Sequence, residues 1–136
     1  MTGEKVLIVE DENIVALGIK KMLKNMGYRV PSIASTGKEA ISKAEITFPD
    51  LILMDIMLKG EMDGIEAADQ IRKQRDVPVV YLTAYSDDKI LQKAKPTNPY
   101  GYIIKPFEET KLRTTIELAL HNYRARESSS HPDQTI

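Results

Sequence analysis

Four short runs of consecutive apolar residues punctuate the chain: Val6-Leu7-Ile8-Val9, Leu51-Ile52-Leu53-Met54, Val79-Val80-Tyr81-Leu82 after Pro78, and Tyr102-Ile103-Ile104. They are continuous rather than alternating, which is how strands buried on both faces of a parallel sheet read. Residues 28–34 are a weaker strand candidate. Pro31 lies within them and offers no ladder donor, so this strand is predicted at an edge. Between the runs the apolar spacing becomes helical. Val15, Ile19, Met22, Leu23 and Met26 form one such face, with Gly27 as its stop. Ser35 or Thr36 caps a second helix carrying Ala40, Ile41, Ala44 and Phe48, and Asp63 a third carrying Ile65, Ala68 and Ile71. Asp87 begins a short fourth helix that Pro96 and Pro99 must end. Leu112, Ile116, Ala119, Leu120 and Tyr123 make the fifth and longest.

Five βα repeats predict an α/β fold, a parallel sheet covered by helices on both faces with right-handed crossovers. The known doubly wound order 2-1-3-4-5 puts the proline-bearing strand at an edge, although periodicity alone admits other orders. Residues 1–126 read as one domain. Residues 127–136 are polar with a serine run and read as a disordered tail or linker.

Composition narrows this little. The 136 residues suffice for one core without disulfides. The net charge of −1 gives no global field for nucleic acid or an anionic membrane. The absence of Cys excludes disulfides, thiolate metal sites and cysteine nucleophiles. There is no signal-peptide-like apolar region at the start and no run of membrane-spanning length. The expectation is a cytoplasmic domain without a membrane or nucleic-acid partner. Lys111, Arg113, Arg124 and Arg126 read as the solvated face of the last helix, and Met22, Met26, Met54, Met57 and Met62 as core or rim packing.

The polar residues that end the apolar runs are more informative. Glu10 and Asp11 end the first, Asp55 the second, Thr83 the third and Lys105 the last. Open α/β sheets bind ligands outside the carboxyl ends of their strands, where strand order reverses. Four strands therefore deliver three carboxylates, a hydroxyl and an ammonium to one rim. Close carboxylates repel, and a hard divalent cation such as Mg²⁺ removes that cost while keeping sites for water and a phosphate oxygen. One carboxylate can then attack phosphorus and form an acyl phosphate. The transfer needs mainly positioning and neutralised equatorial oxygens, which Mg²⁺, Lys105 and Thr83 Oγ can supply. Taken singly, each residue has an ordinary explanation: Asp55 a strand-end acid, Glu10 and Asp11 helix-capping acids, Thr83 a β-former, Lys105 a surface lysine, Tyr102 a strand aromatic.

Together, Val-Glu-Asp-Glu at 9–12, Leu-Met-Asp-Ile at 53–56, Met-Asp-Gly at 62–64, Leu-Thr-Ala at 82–84 and Tyr-Ile-Ile-Lys-Pro-Phe at 102–107 resemble the response-regulator receiver family of two-component signalling. The resemblance covers residues 4 to about 125, with five short motifs in order, each at a strand end. It implies a flavodoxin-like (βα)5 sandwich and a set of roles. Asp55 is the phosphoacceptor. Asp11 holds Mg²⁺ directly, Glu10 holds it through water, and Met57 offers its backbone carbonyl. Thr83 follows the phosphoryl group, Lys105 is the family's lysine, before a cis proline bond, and Tyr102 is the aromatic that turns inward when Thr83 moves. It also implies a sensor histidine kinase as donor, with either a downstream protein or a fused effector domain as output. Any homodimer would use the face of the fourth helix, fifth strand and fifth helix. Such a domain is not an enzyme toward other substrates and catalyses only its own phosphorylation and dephosphorylation.

Several positions depart from the commonest family pattern. Glu10 replaces Asp, and Met57 sets a large apolar side chain two residues past the acceptor, which predicts an atypical phosphoryl lifetime. Lys59-Gly60-Glu61 replaces a proline-bearing loop, and the spacing from Asp55 to Asp63-Gly64 is one residue longer. Two other classes compete. A Mg²⁺-dependent phosphohydrolase with an aspartate nucleophile needs a second acid where Met57 stands. A flavin protein needs a phosphate-cradling loop where Glu10-Asp11-Glu12-Asn13 stands. A third alternative, a phosphorylation-independent interaction module, fits poorly with an intact set of acceptor, acid pair, threonine and lysine.

Overall fold

In the computed structural model, which describes residues 3–84 and 88–129, the apolar runs become parallel strands and the periodic segments the helices between them. The order is β1 (Val6–Val9), α1 (Asn13–Asn25), β2 (Ile33–Ala34), α2 (Gly37–Thr47), β3 (Leu51–Asp55), α3 (Gly64–Gln74), β4 (Val79–Thr83), α4 (Asp88–Ala94), a 3-10 turn (Lys95–Thr97), β5 (Gly101–Ile104) and α5 (Glu109–Ser129). The sheet runs β2-β1-β3-β4-β5, the predicted order, with every pair parallel.

Alternate residues of the central strands serve opposite faces. Leu7, Val9, Ile52, Met54, Val79 and Tyr81 pack with α2, α3 and α4, whereas Val6, Ile8, Leu51, Leu53, Val80 and Leu82 pack with α1 and α5. Both faces are dry, which is why the runs carry no polar alternation.

Helix ends follow the sequence signals. Thr36 Oγ1 accepts from Glu39 N at 3.0 Å to cap α2. Asp63 and Glu66 form a reciprocal capping box on α3. Gly27 ends α1 at φ +93°, a conformation that glycine alone adopts without strain.

Three expectations change. The second strand shrinks to Ile33–Ala34, with a separate bridge from Lys5 to Arg29, because Pro31 interrupts the ladder and Tyr28 N is spent closing α1 on Leu23 O. Phe48 is not on the buried face of α2; it is the left-handed C-cap at φ +49°, exposed, with the Arg75 guanidinium 4.4 Å over its ring. Lys111, Arg113, Arg124 and Arg126 lie on the exposed face of α5 as expected, where Arg124 pairs with Glu4 and Arg126 Nη2 donates to Asp76 Oδ2 at 2.6 Å. Helix α5 runs to Ser129, three residues into the expected tail, and residues 130–136 lie outside the described ones. So does Asp87, the expected start of α4. Among the described residues no helix is long and apolar enough to cross a membrane.

Candidate functional site

Strands β1 and β3 are neighbours in register, with Val9 beside Met54, so the residues just past them meet at the carboxyl rim. Glu10, Asp11 and Asp55 each place a carboxylate oxygen so that all three lie within 4.8 Å of one another. Glu10 is 1% exposed and Asp55 3%, whereas Asp11 is half-buried at the mouth. Lys105 arrives from the end of β5 after its backbone N–H donates to Thr83 O at 2.7 Å, and the Lys105–Pro106 bond is cis. Its ammonium donates to Glu10 Oε1 at 3.0 Å and to Asp55 Oδ2 at 3.2 Å.

Backbone N–H groups aim the other carboxylate oxygens. Asp55 Oδ1 accepts from Met57 N at 3.1 Å, Glu10 Oε2 from Glu12 N at 3.2 Å, and Asp11 Oδ2 from Lys59 N at 3.1 Å. The last bond ties the β3–α3 loop to the acid pair. Burial pushes the Glu10 carboxyl up to about 7, and the Asp55 charge adds to the rise. The Lys105 hydrogen bond opposes it without cancelling it. Burial pulls Lys105 down, but the bond to Glu10 and the charges of Asp55 and Glu10 outweigh it, and its pKa ends above the ordinary lysine value. The ammonium thus reaches the two buried acids of a crowded group of three. Such a pocket of hard oxygen donors with excess negative charge suits a divalent cation such as Mg²⁺.

Thr83 is fully buried at the end of β4, beside the Asp55 strand. Tyr102 is not at the acid pocket. It lies on β5 opposite Tyr81, the two rings stacked with centroids 6.1 Å apart. The Met57 side chain is 60% exposed, so it stands at the mouth of the site and not in the core. Its backbone reaches Asp55 through the N–H just described.

Residues 6–117 match the model of the response regulator receiver domain. The chain belongs to this family. It is a receiver domain of two-component signalling, as the motif resemblance implied. It is 38% identical over 120 residues to the transcriptional regulatory protein PdtaR of Mycobacterium tuberculosis, covering 88% of this chain and 58% of that one. It is 35% identical to the transcriptional regulatory protein YvrH of Bacillus subtilis, covering 99% and 57%. The chain therefore spans less than two thirds of these relatives. Among solved structures, it superposes on the N-terminal domain of a response regulator/sensory box/GGDEF 3-domain protein from Carboxydothermus hydrogenoformans. The TM-score is 0.84 and the identity 41%, over 90% of this chain and 98% of that one. The receiver domain of sensor histidine kinase PA1611 from Pseudomonas aeruginosa gives a TM-score of 0.79 at 31% identity, over 88% and 98%, and holds a magnesium ion in its active-site cleft.

Within this receiver the structure adds a residue whose reason the sequence concealed. A Cβ on Gly64 would sit 2.0 Å from the carbonyl oxygen of Asp55, and Gly64 N donates to Ile56 O at 2.9 Å. The first turn of α3 is thus laid against the backbone of Asp55 itself. The Met-Asp-Gly motif signalled a cap at Asp63, but only the fold shows why glycine comes next.

Proposed function

We propose that this receiver is a phosphoryl-operated switch. Asp55 accepts a phosphoryl group from the phosphohistidine of a sensor histidine kinase with Mg²⁺ bound, and the modified site resets an output surface. The observation that carries this reading is the gathering of the Glu10, Asp11 and Asp55 carboxylates within 4.8 Å, with the Lys105 ammonium on both buried members.

Asp11, Asp55, the Met57 carbonyl and, through water, Glu10 would hold Mg²⁺. Bound there, the ion would offset the carboxylate charge and supply positive charge for the transferring phosphoryl group. Asp55 supplies the nucleophilic oxygen: its bond to phosphorus forms as the phosphorus–nitrogen bond breaks, and the imidazole nitrogen leaves with that electron pair. Lys105 is already within hydrogen-bonding distance of Asp55 Oδ2 and can follow a phosphoryl oxygen when one arrives. Thr83, one residue beyond the Leu82 that pairs with Asp55, can donate to another, and its movement leaves Tyr102 room to turn inward.

An apolar groove of about 520 Å³ opens beside Lys105 and Pro106, walled by Val15, Ile19, Met22 and Phe107, with Ile14 87% exposed on its lip. A helical donor presenting its phosphohistidine fits there. The exposed Ile104 on β5 and Leu118 on α5 support the α4–β5–α5 face as the surface for an effector or a second copy. The domain would act in the cytoplasm and catalyse no turnover of outside substrates.

The test is incubation with Mg²⁺ and acetyl phosphate followed by intact-mass measurement. The expected result is one phosphoryl adduct, absent in Asp55→Asn and in EDTA. An unmodified wild type that also fails to bind beryllofluoride overturns the reading. Steady turnover of free phosphate monoesters would favour the phosphohydrolase instead.

A further inference from the structure

Tyr81 sits in the middle of a strand that reads as plain core, yet it is the meeting point of two separate sets of contacts. Its ring, fully buried, is the surface on which Tyr102 stacks. Its hydroxyl lies 2.6 Å from Thr97 Oγ1 in the 3-10 turn after α4. Thr97 has one hydroxyl proton and gives it to Ala94 O at 2.6 Å, so Tyr81 is the donor in this pair. Arg72 of α3 then donates to the carbonyls of Thr97 and Asn98 at 2.9 and 3.2 Å, and its other nitrogen stands 4.0 Å from Asp76. Asp76 is one of the points that hold the end of α5, beside the Arg124–Glu4 pair: Tyr123 donates to its carbonyl at 2.8 Å and Arg126 to its carboxylate at 2.6 Å. Tyr100, three residues past Thr97, packs edge-on against Tyr123 at 5.8 Å.

These contacts form an unbroken series from the Tyr102 ring on β5 to the last turns of α5. Every link is a hydrogen bond, an ion pair or a ring contact. The shared element is the turn at residues 95–100, held from below by Tyr81, from one side by Arg72 and from the other through Tyr100. Pro96 and Pro99 keep it from becoming helix.

We propose that Tyr81 is a positioning residue that couples the Tyr102 ring to the C-terminal end of α5, so that modification at Asp55 is read there as well as on the α4–β5–α5 face. This rests on Tyr102 acting as the switch aromatic. When that ring leaves its stack, Tyr81 loses the contact that fixes its hydroxyl, the grip on the 95–100 turn weakens, and the fastening of α5 at Asp76 loosens.

A chain of contacts becomes a coupling only when two sites are shown to bias one element. The experiment is hydrogen exchange of the α5 amides of residues 121–126, with and without beryllofluoride and Mg²⁺, while ¹⁹F resonances report whether beryllofluoride is bound. In the wild type, exchange speeds up severalfold on binding. In Tyr81→Phe, which removes one oxygen and keeps the ring, binding persists and the acceleration is lost. Thr97→Val gives the same result, and the double variant adds nothing further. A merely structural role would shift both states equally and leave the difference between them intact. Bound beryllofluoride with no acceleration in the wild type, or with full acceleration in both variants, overturns the coupling while leaving Asp55 as acceptor. Failure of the wild type to bind beryllofluoride removes the switch reading and the coupling with it.

Discussion

At the scale of single residues, the acid pocket shows why strand-end positions carry information that strand interiors do not. Asp55 comes after four fully buried residues, so its backbone direction is fixed by packing on both sheet faces, and its carboxylate can point only into the rim. Gly64 completes that constraint from the other side. A methyl group there meets the backbone of Asp55 and Ile56, not a flexible side chain, so the first turn of α3 must move away or the loop after Asp55 must deform. Gly64→Ala is therefore expected to lower stability by about 1–3 kcal/mol in urea melts, the usual cost of overpacking. It should also reduce the phosphoryl adduct at Asp55 more than equal thermal destabilisation elsewhere would. An alanine variant with wild-type melting and full adduct would show that the approach is looser than the structure has it. The acids, Thr83 and Lys105 were legible because each ends an apolar run. The demand on Gly64 was not, because it arises between α3 and β3, and neither was the Tyr81 hydroxyl bond, because a tyrosine inside an apolar run reads as core.

At the scale of elements, local chemistry and tertiary pairing divide the outcome. The α-helices whose caps are written in the sequence appeared where the caps said: Thr36 starts α2, Asp63 starts α3, and the prolines stop α4 at Ala94. The second strand was overread because its length depends on partners. Pro31 leaves a gap between the Lys5–Arg29 bridge and the two residues that pair with β1. Asp63 also bears on the site, since its capping box orders the turn that Gly64 lays against Asp55. Asp63→Ala should cost about 1 kcal/mol in denaturant melts, as loss of a cap usually does, and Asp63→Asn should recover most of it. The exposed 3.3 Å contact between Lys93 and Asp63 should add little, so Lys93→Ala leaves the midpoint nearly unchanged. Equal losses in all three variants would assign the effect to the ion pair instead.

At the scale of the whole molecule, the same pocket that suits a cation is a stability cost without one. The Glu10 carboxyl holds its proton up to about 7 in the folded protein, against 4.5 in an unperturbed chain, chiefly because it is buried and then because Asp55 is beside it. The folded state therefore binds more protons than the unfolded state between these values, and stability contributed at this residue falls as pH rises through that window and levels off above it. Lys105 has the opposite character. Its raised pKa contributes stability that is lost only in the alkaline range, so it does not mask the trend near neutrality. Glu4 and Glu39, whose pKa values are lowered, gain stability as pH rises from the acid side, so the raw melting curve mixes opposing slopes. The difference between wild type and Glu10→Gln isolates one of them. In EDTA, melts from about pH 5 to about pH 8 should show the variant gaining on the wild type across the window and holding that advantage above about pH 7. Saturating Mg²⁺ should close most of the gap by stabilising the wild type more, since a ligand that binds only the folded state adds to its stability by mass action. Parallel curves for the two proteins in EDTA would mean that Glu10 titrates as it does in the unfolded chain. The crowding of charge around Asp55 would then be relieved, without a cation, by some other route than a proton on Glu10.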